Sequence, residues 1–169
     1  MKTYLAKMRG TAVPPPAPPP NHIFWSMSGA MIGIAAAGFL SVSFNVPLLV
    51  APFCATCVLA FGLPESPLSQ PRSIIGGHLI SAAIGIAIAS LFGTAWWAVA
   101  IAVGLALAAM QLTRTVHAPA GAMAALAVLS NPTWMFLLFP VLAGAVLIVT
   151  VAVIFNNLIE GRAYPKYWR

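Results

Sequence analysis

Six long apolar stretches fill most of this sequence and restrict the environment in which it can fold. They are residues 22–41, 46–62, 74–92, 95–112, 118–130 and 134–157. Of all residues, 61% are hydrophobic and only 6% are charged, whereas a soluble domain has roughly a quarter of its residues charged. A helix needs about 20 apolar residues to cross a bilayer. The sequence therefore predicts an all-α, polytopic membrane bundle with about six hydrophobic segments.

The second and fifth stretches are expected to be short or broken. The fifth has only the residues from Ala118 to Ser130, which would reach about 20 Å as a helix against a hydrocarbon core of about 30 Å. This stretch is completed by non-helical chain, lies where the bilayer is thin, or re-enters the membrane. The sequence leaves these three arrangements open.

The distribution of charge favours six crossings. If every stretch crosses, the connectors 42–45, 93–94 and 131–133 share one side of the membrane and carry no charge. All lysines and arginines then lie on the other side, as the positive-inside rule expects for the cytoplasm. Two re-entrant stretches would instead place Arg72 and Arg114 outside. We predict a multi-pass protein of a bacterial inner membrane with both termini in the cytoplasm.

Three regions follow from this division. Residues 1–21 form a basic, proline-rich cytoplasmic tail, residues 22–157 the transmembrane domain, and residues 158–169 a basic cytoplasmic C-terminal tail. Within the middle region, Ala51-Pro52 and Ala118-Pro119 are followed by alanine, leucine and alanine at the same offsets. Inverted repeats with interrupted helices are typical of transporters. This similarity suggests a 3+3 inverted repeat.

Two connectors on the predicted cytoplasmic side have a similar chemistry. One carries Arg72 and Ser73 and continues into Gly76, Gly77 and His78; the other carries Arg114, Thr115 and His117. Each leads into the start of a membrane helix, where free N–H groups and the helix dipole attract anions. We interpret these eight residues as the binding site for a small anion. Glu65, His78 and His117 are the candidates for proton coupling.

Other classes of function find less support. The sequence has no aspartate and only two glutamates, and it lacks nucleotide-binding glycine patterns, so we predict no enzyme, cofactor or metal. Cys54 and Cys57 are interpreted as packing residues. The partners expected are the lipid bilayer and a small anion, with a homo-oligomer left open. Nucleic acid is not expected, because no basic cluster is interleaved with aromatic residues. The alternative function is a membrane scaffold that anchors a partner protein.

The runs PESPLSQPRSIIGGHLIS and VHAPAGAMAALA resemble the HPP family of small integral membrane proteins. That family is named for a His-Pro-Pro motif, which reads His117-Ala118-Pro119 here, so the first proline is replaced. The resemblance spans residues 22–157. It implies four membrane spans, which differs from the six expected above, and it makes nitrite the leading candidate for the transported anion.

Overall fold

Helices are the only regular structure that the described residues form. The computed structural model describes residues 2–10 and 12–168. The helices are α1 (Lys2–Lys7), α2 (Pro20–Phe44), α3 (Ala51–Gly62), α4 (Pro71–Phe92), α5 (Trp96–Leu112), α6 (Ala118–Ser130) and α7 (Ala143–Asn157). The predicted all-α fold is confirmed, with α2–α7 in the six apolar stretches. The short helix α1 in the N-terminal tail was not expected.

Three helical segments are long and apolar enough to cross a membrane. They are Pro20–Phe44, Pro71–Phe92 and Trp134–Asn157. The last was predicted as one uninterrupted stretch, but Phe139 has extended dihedral angles (φ −133°, ψ 119°) between a 3-10 turn at Trp134–Leu137 and α7. Pro140 explains the break, because a proline disfavours the helical conformation in the residue before it.

The helices α3 and α6 are short because extended chain precedes each of them. The second apolar stretch becomes helical only at Ala51, and α3 has 12 residues, or about 18 Å of helix. Val50 before α3 and His117 before α6 are both extended, and each helix has a proline in its first turn. Leu48 and His117 are buried, so the extended chain enters the bundle. The shortness predicted for both stretches is confirmed.

The start of α4 differs in detail from the expectation. The helix begins at Pro71, three residues before the predicted Ile74, because proline fits the first position of a helix. Ser73 has a side chain of the kind that often caps a helix. It lies inside the first turn instead, and its Oγ donates to the Pro67 carbonyl oxygen at 2.9 Å.

The pattern of helix packing supports the inverted repeat. Helix α4 packs on α5, α6 and α7, and α3 packs on α2, α6 and α7, while α2 contacts α7 and α5 contacts α6. Exchanging α2 with α5, α3 with α6 and α4 with α7 leaves this set of pairs unchanged. A 3-10 turn precedes α4 and another precedes the last helical segment. The helix contacts therefore have the pairing that two equivalent halves would give.

Arginine side chains from separate parts of the chain lie at one end of the bundle. Arg162 donates to the carbonyl oxygens of Phe61 at 3.3 Å and His22 at 3.0 Å, which joins the end of α3 to the start of α2. Arg72 at the start of α4 donates to the Thr113 carbonyl at the end of α5, at 2.8 Å. Hence α2 begins and α5 ends at this end, which we call the charged end. Equivalent helices run in opposite directions, as an inverted repeat requires.

Candidate functional site

Two histidines meet on a single threonine in the interior of the bundle. The Nε2 atoms of His78 and His117 each lie 2.9 Å from Oγ1 of Thr56. The two imidazole rings contact edge to face, with centroids 5.0 Å apart. All three side chains are fully buried. We call Thr56, His78 and His117 the histidine cluster.

Each member of the cluster comes from a different element. Thr56 lies in α3, His78 in α4, and His117 in the extended chain before α6. Between Pro71 and His78 the helix rises about 10 Å, at 1.5 Å per residue. His117 is anchored on its other side, where Nδ1 lies 2.7 Å from the carbonyl oxygen of Leu68. The cluster therefore connects the interior of α4 with the connector at the charged end.

Glycines in α4 allow the extended segment to reach this position. A Cβ atom on Gly77 would lie 2.8 Å from Cβ of His117 and 3.0 Å from the Thr115 carbonyl oxygen, and one on Gly76 would lie 2.9 Å from Cγ2 of Thr115. These distances are too short for side chains. Gly76 and Gly77 are therefore required for the packing of residues 115–117 against α4.

The structure separates the expected site residues into two levels. His78 and His117 meet in the interior, whereas the arginines lie at the charged end. Arg72 is half-buried and holds the Thr113 carbonyl, and Arg114 is exposed with a left-handed φ of 56°. Thr115 is buried, and its hydroxyl lies 2.7 Å from the hydroxyl of Thr113. The arginines thus lie at the charged end of the bundle and not against the histidines.

Glu65 lies apart from both levels. Its carboxylate is exposed and forms an ion pair with Nζ of Lys166 at 2.7 Å. The hydrogen bond and the positive charge of Lys166 lower the pKa of Glu65 from its ordinary value. The connector that carries Glu65 and the start of α2 border a cavity of about 650 Å³ at the charged end, lined also by Arg162. Neither histidine of the cluster lines this cavity.

Comparison with known proteins identifies the family. The model of the HPP transmembrane region matches residues 15–165. The chain belongs to the HPP transmembrane family. Two transmembrane proteins of Dictyostelium discoideum are each 34% identical to it over 98% of its length. The chain spans 63% and 57% of the lengths of these two relatives. No solved structure matches the chain significantly.

His117 is the first residue of the run His117-Ala118-Pro119, which resembles the His-Pro-Pro motif. It precedes α6, at the point where extended chain becomes helix. The HPP protein is an integral, multi-pass membrane protein. The bacterial inner membrane and the side on which the termini lie stay predictions.

Thr56 is the member of the cluster that sequence reasoning missed. It lies in an apolar stretch between Cys54 and Cys57, and nothing local distinguishes it from a packing residue. A threonine in a helix donates back to the carbonyl four residues earlier wherever it lies, so this bond gave no signal in the sequence. Oγ1 of Thr56 indeed lies 2.9 Å from the Pro52 carbonyl oxygen.

The donor set of the cluster does not suit a resident metal. A zinc site usually takes four protein ligands, or three with one open position. The cluster offers two imidazoles and one hydroxyl. Within residues 2–10 and 12–168, no three histidine, cysteine, aspartate or glutamate side chains come together as metal ligands. Hydrogen bonding is the chemistry that these three side chains supply.

Proposed function

We propose that this HPP protein is a transporter or channel for a small inorganic anion, with nitrite as the leading candidate through its family resemblance. The observation that carries the proposal is the histidine cluster in the interior of a largely apolar bundle. Ionisable side chains are expensive at this depth, and in membrane proteins they mark the paths of ions and substrates. Two such residues in one cluster strengthen that inference.

The location of the cluster also fits a transport role. It joins the two short helices, with Thr56 in the middle of α3 and His117 in the extended chain just before α6. In transporters built from inverted repeats, substrates bind near such interrupted helices. The cluster has the position and the hydrogen-bonding groups of a substrate-binding site, which we call the station.

The charged end provides the approach to this station. Arg72 and Arg114 place two positive charges beside the starts of α4 and α6, where the helix dipoles add to the attraction for an anion. Gly76 and Gly77 contribute because, without side chains, they let residues 115–117 pack against α4. An anion is drawn to this end, which we place in the cytoplasm, and then meets His117 and His78.

Flux through proteoliposomes tests the proposal. Purified protein is reconstituted and assayed with nitrite, nitrate, formate and chloride, with and without a pH gradient. We expect His78→Gln, His117→Gln, Arg72→Gln and Arg114→Gln to reduce the flux while the protein remains folded. His22→Gln is the matched control, because His22 lies at the start of α2 and the only hydrogen bond of its ring among the described residues joins Nε2 to the Gly62 carbonyl oxygen, at 3.4 Å.

The scaffold alternative predicts a different outcome. A protein that only anchors a partner would pass none of the four anions. Normal flux in all four variants would also count against the proposed site. Loss of flux in the cluster variants together with retained flux in His22→Gln supports the transport function.

A further inference from the structure

The histidine cluster contains more acceptors than the threonine hydroxyl has protons. Oγ1 of Thr56 lies 2.9 Å from the carbonyl oxygen of Pro52 and 2.9 Å from each Nε2 of the two histidines. A hydroxyl donates one hydrogen bond and accepts two. The carbonyl of Leu68 can only accept, so Nδ1 of His117 must carry a hydrogen. These constraints determine where the protons can lie.

Two arrangements of protons satisfy the contacts. In the neutral arrangement, Thr56 donates to Nε2 of His117 and accepts from the Nε2–H group of His78. In the second, Nε2 of His117 carries one extra proton and donates to Thr56, while the hydroxyl turns to the Pro52 carbonyl. Every N–H and O–H group of the cluster has an acceptor in both. The cluster therefore accommodates either no extra proton or one.

Nδ1 of His78 is the one ring nitrogen of the cluster without a hydrogen bond among the described residues. This atom is buried, and the ring of Phe53 lies edge-on to the imidazole at 5.0 Å. In both arrangements above, Nδ1 keeps an unused lone pair. A second extra proton would have to bind there and would create two imidazolium rings whose centroids are 5.0 Å apart. Repulsion between buried like charges opposes that state.

We propose that His78, Thr56 and His117 form a relay for one proton, so that each anion crosses the interior with one proton and without net charge. This inference rests on the proposed transport function. The protonated acid form of the anion gives its proton to Nδ1 of His78. The Nε2–H bond of His78 breaks as its proton passes to Oγ1 of Thr56, and the hydroxyl proton passes to Nε2 of His117.

The relay moves a positive charge from the interior toward the charged end. After the transfer, His117 is the imidazolium and donates to Leu68 and Thr56. His78 is then neutral in its other tautomer, in which its Nδ1–H group donates to the anion and its Nε2 atom accepts from the Thr56 hydroxyl. The same steps in reverse return the proton to the anion. Because the acid form must exist to deliver the proton, the relay suits the anions of weak acids, such as nitrite and formate, better than nitrate or chloride.

The surroundings of the cluster contain no other fixed charge that would balance an anion. The buried faces of α5, α6 and α7 carry no titratable side chain among their described residues. Helix α3 adds Cys57, α4 adds Arg72 near its start, and the neighbouring connector adds the exposed Glu65. An unpaired charge in a bilayer interior is costly. An imidazolium of the cluster is therefore the counter-ion for an anion at that depth.

Nuclear magnetic resonance tests the proton arrangement without requiring transport. In the ¹⁵N-labelled full chain in lipid nanodiscs, the neutral state should show His117 protonated on Nδ1 and His78 protonated on Nε2. In Thr56→Val, His78 should lose its preference for the proton on Nε2, whereas Thr56→Ser should keep the wild-type tautomers. The opposite tautomer on either ring of the wild type, or an unchanged His78 tautomer in Thr56→Val, would overturn the relay.

Flux measurements test the coupling. Thr56→Val is expected to lower proton-driven nitrite flux by roughly 10²-fold, in line with the loss of a positioned proton donor. Thr56→Ser should retain most of the flux. Thr150→Val is the matched control, because the Thr150 hydroxyl is exposed and donates only within α7, to the Val146 carbonyl at 2.8 Å.

The outcomes separate the two proposals. Wild-type flux that changes when the membrane potential is clamped, or a proton-to-anion ratio other than one, would overturn the relay and leave the transport function standing. Absence of any anion flux together with the expected tautomers would overturn the transport function alone. Potential-independent flux with one proton per nitrite, lost in Thr56→Val, supports both.

Discussion

The hydroxyl of Tyr164 donates a hydrogen bond to the carbonyl oxygen of Ser69 at 2.7 Å. Tyr164 belongs to the C-terminal tail, and Ser69 lies in the connector between α3 and α4. Beside this contact, the backbone N–H of Lys166 donates to Oε1 of Gln70 at 2.8 Å. The tail thus holds the connector whose Leu68 carbonyl accepts from His117.

Removing the Tyr164 hydroxyl should loosen this attachment. In Tyr164→Phe, the buried hydrogen bond to Ser69 is lost, and we expect a decrease of about 1–3 kcal/mol in the free energy of unfolding. Thermal unfolding of the purified protein in detergent measures the change. Tyr167→Phe is the control, because the Tyr167 side chain is 40% exposed. Equal melting temperatures for the two variants would contradict this role of the tail.

The ion pair between Glu65 and Lys166 should make stability depend on pH. Lys166 lowers the pKa of Glu65 in the folded protein, so the pair stabilises the fold above the ordinary carboxylate pKa of about 4.3. That contribution is lost as the pH falls through the lower, folded-state pKa. At pH 7 we expect the melting temperature of the wild-type protein to be slightly higher than that of Glu65→Gln. This difference in melting temperature should vanish in acid.

A control and a salt series define this effect. Glu160→Gln removes an exposed glutamate of the C-terminal tail and should not reproduce the pH-dependent difference. Because the pair is exposed, added salt should also reduce it. If the difference in melting temperature between wild type and Glu65→Gln grew as the pH fell, the stabilising role of the ion pair would be contradicted.

A methyl group at Gly77 should displace the segment that carries His117. The Cβ atom of Gly77→Ala would lie 2.8 Å from Cβ of His117, and overpacking of this kind costs about 1–3 kcal/mol. Gly104→Ala is the matched control in α5, because a Cβ there has no neighbour within 4 Å among the described residues. We expect only Gly77→Ala to lower the melting temperature and anion flux. If Gly77→Ala left both the melting temperature and the anion flux unchanged, residues 115–117 would not pack against α4 as described.

Accessibility of single cysteines tests the orientation. In a Cys54→Ala, Cys57→Ala background, cysteines at Asn45, Thr94 or Thr133 should react with an impermeant reagent from outside. A cysteine at Thr113 or Leu63, both exposed at the charged end, should react only after the membrane is opened. Labelling of Thr113→Cys in intact cells would place the charged end outside and refute the predicted topology.

The six apolar segments and their helical nature followed from composition and segment length, because lipid permits little except helices. The ends of the helices were less predictable. Pro52 did not reveal that residues 46–50 are non-helical, and Ser73 had the chemistry of a cap without its position. Propensity restricts the conformations that a residue favours, and packing of the whole bundle then selects among them.

The candidate site was only partly accessible to sequence reasoning. His78 and His117 were identified from their connectors, but their common partner Thr56 lies on a third element, distant in sequence. The expected proximity of the arginines to the histidines also rested on nearness along the chain. About 10 Å of helix separates the start of α4 from His78. The arginines and the histidines, which were predicted from the sequence to form one site, therefore lie apart in the structure.

The relation between the two halves has a consequence for the history and working cycle of the protein. At the positions equivalent to Thr56, His78 and His117, the other half has Met123, Ala145 and Val50. A gene duplication followed by divergence would leave this pattern, with the polar residues kept in one set of positions. The set of contacting helix pairs retains the symmetry that these side chains have lost. If the halves exchange conformations during a cycle, residues 46–50 would adopt the path now taken by residues 113–117, and the same histidines would open toward the opposite face.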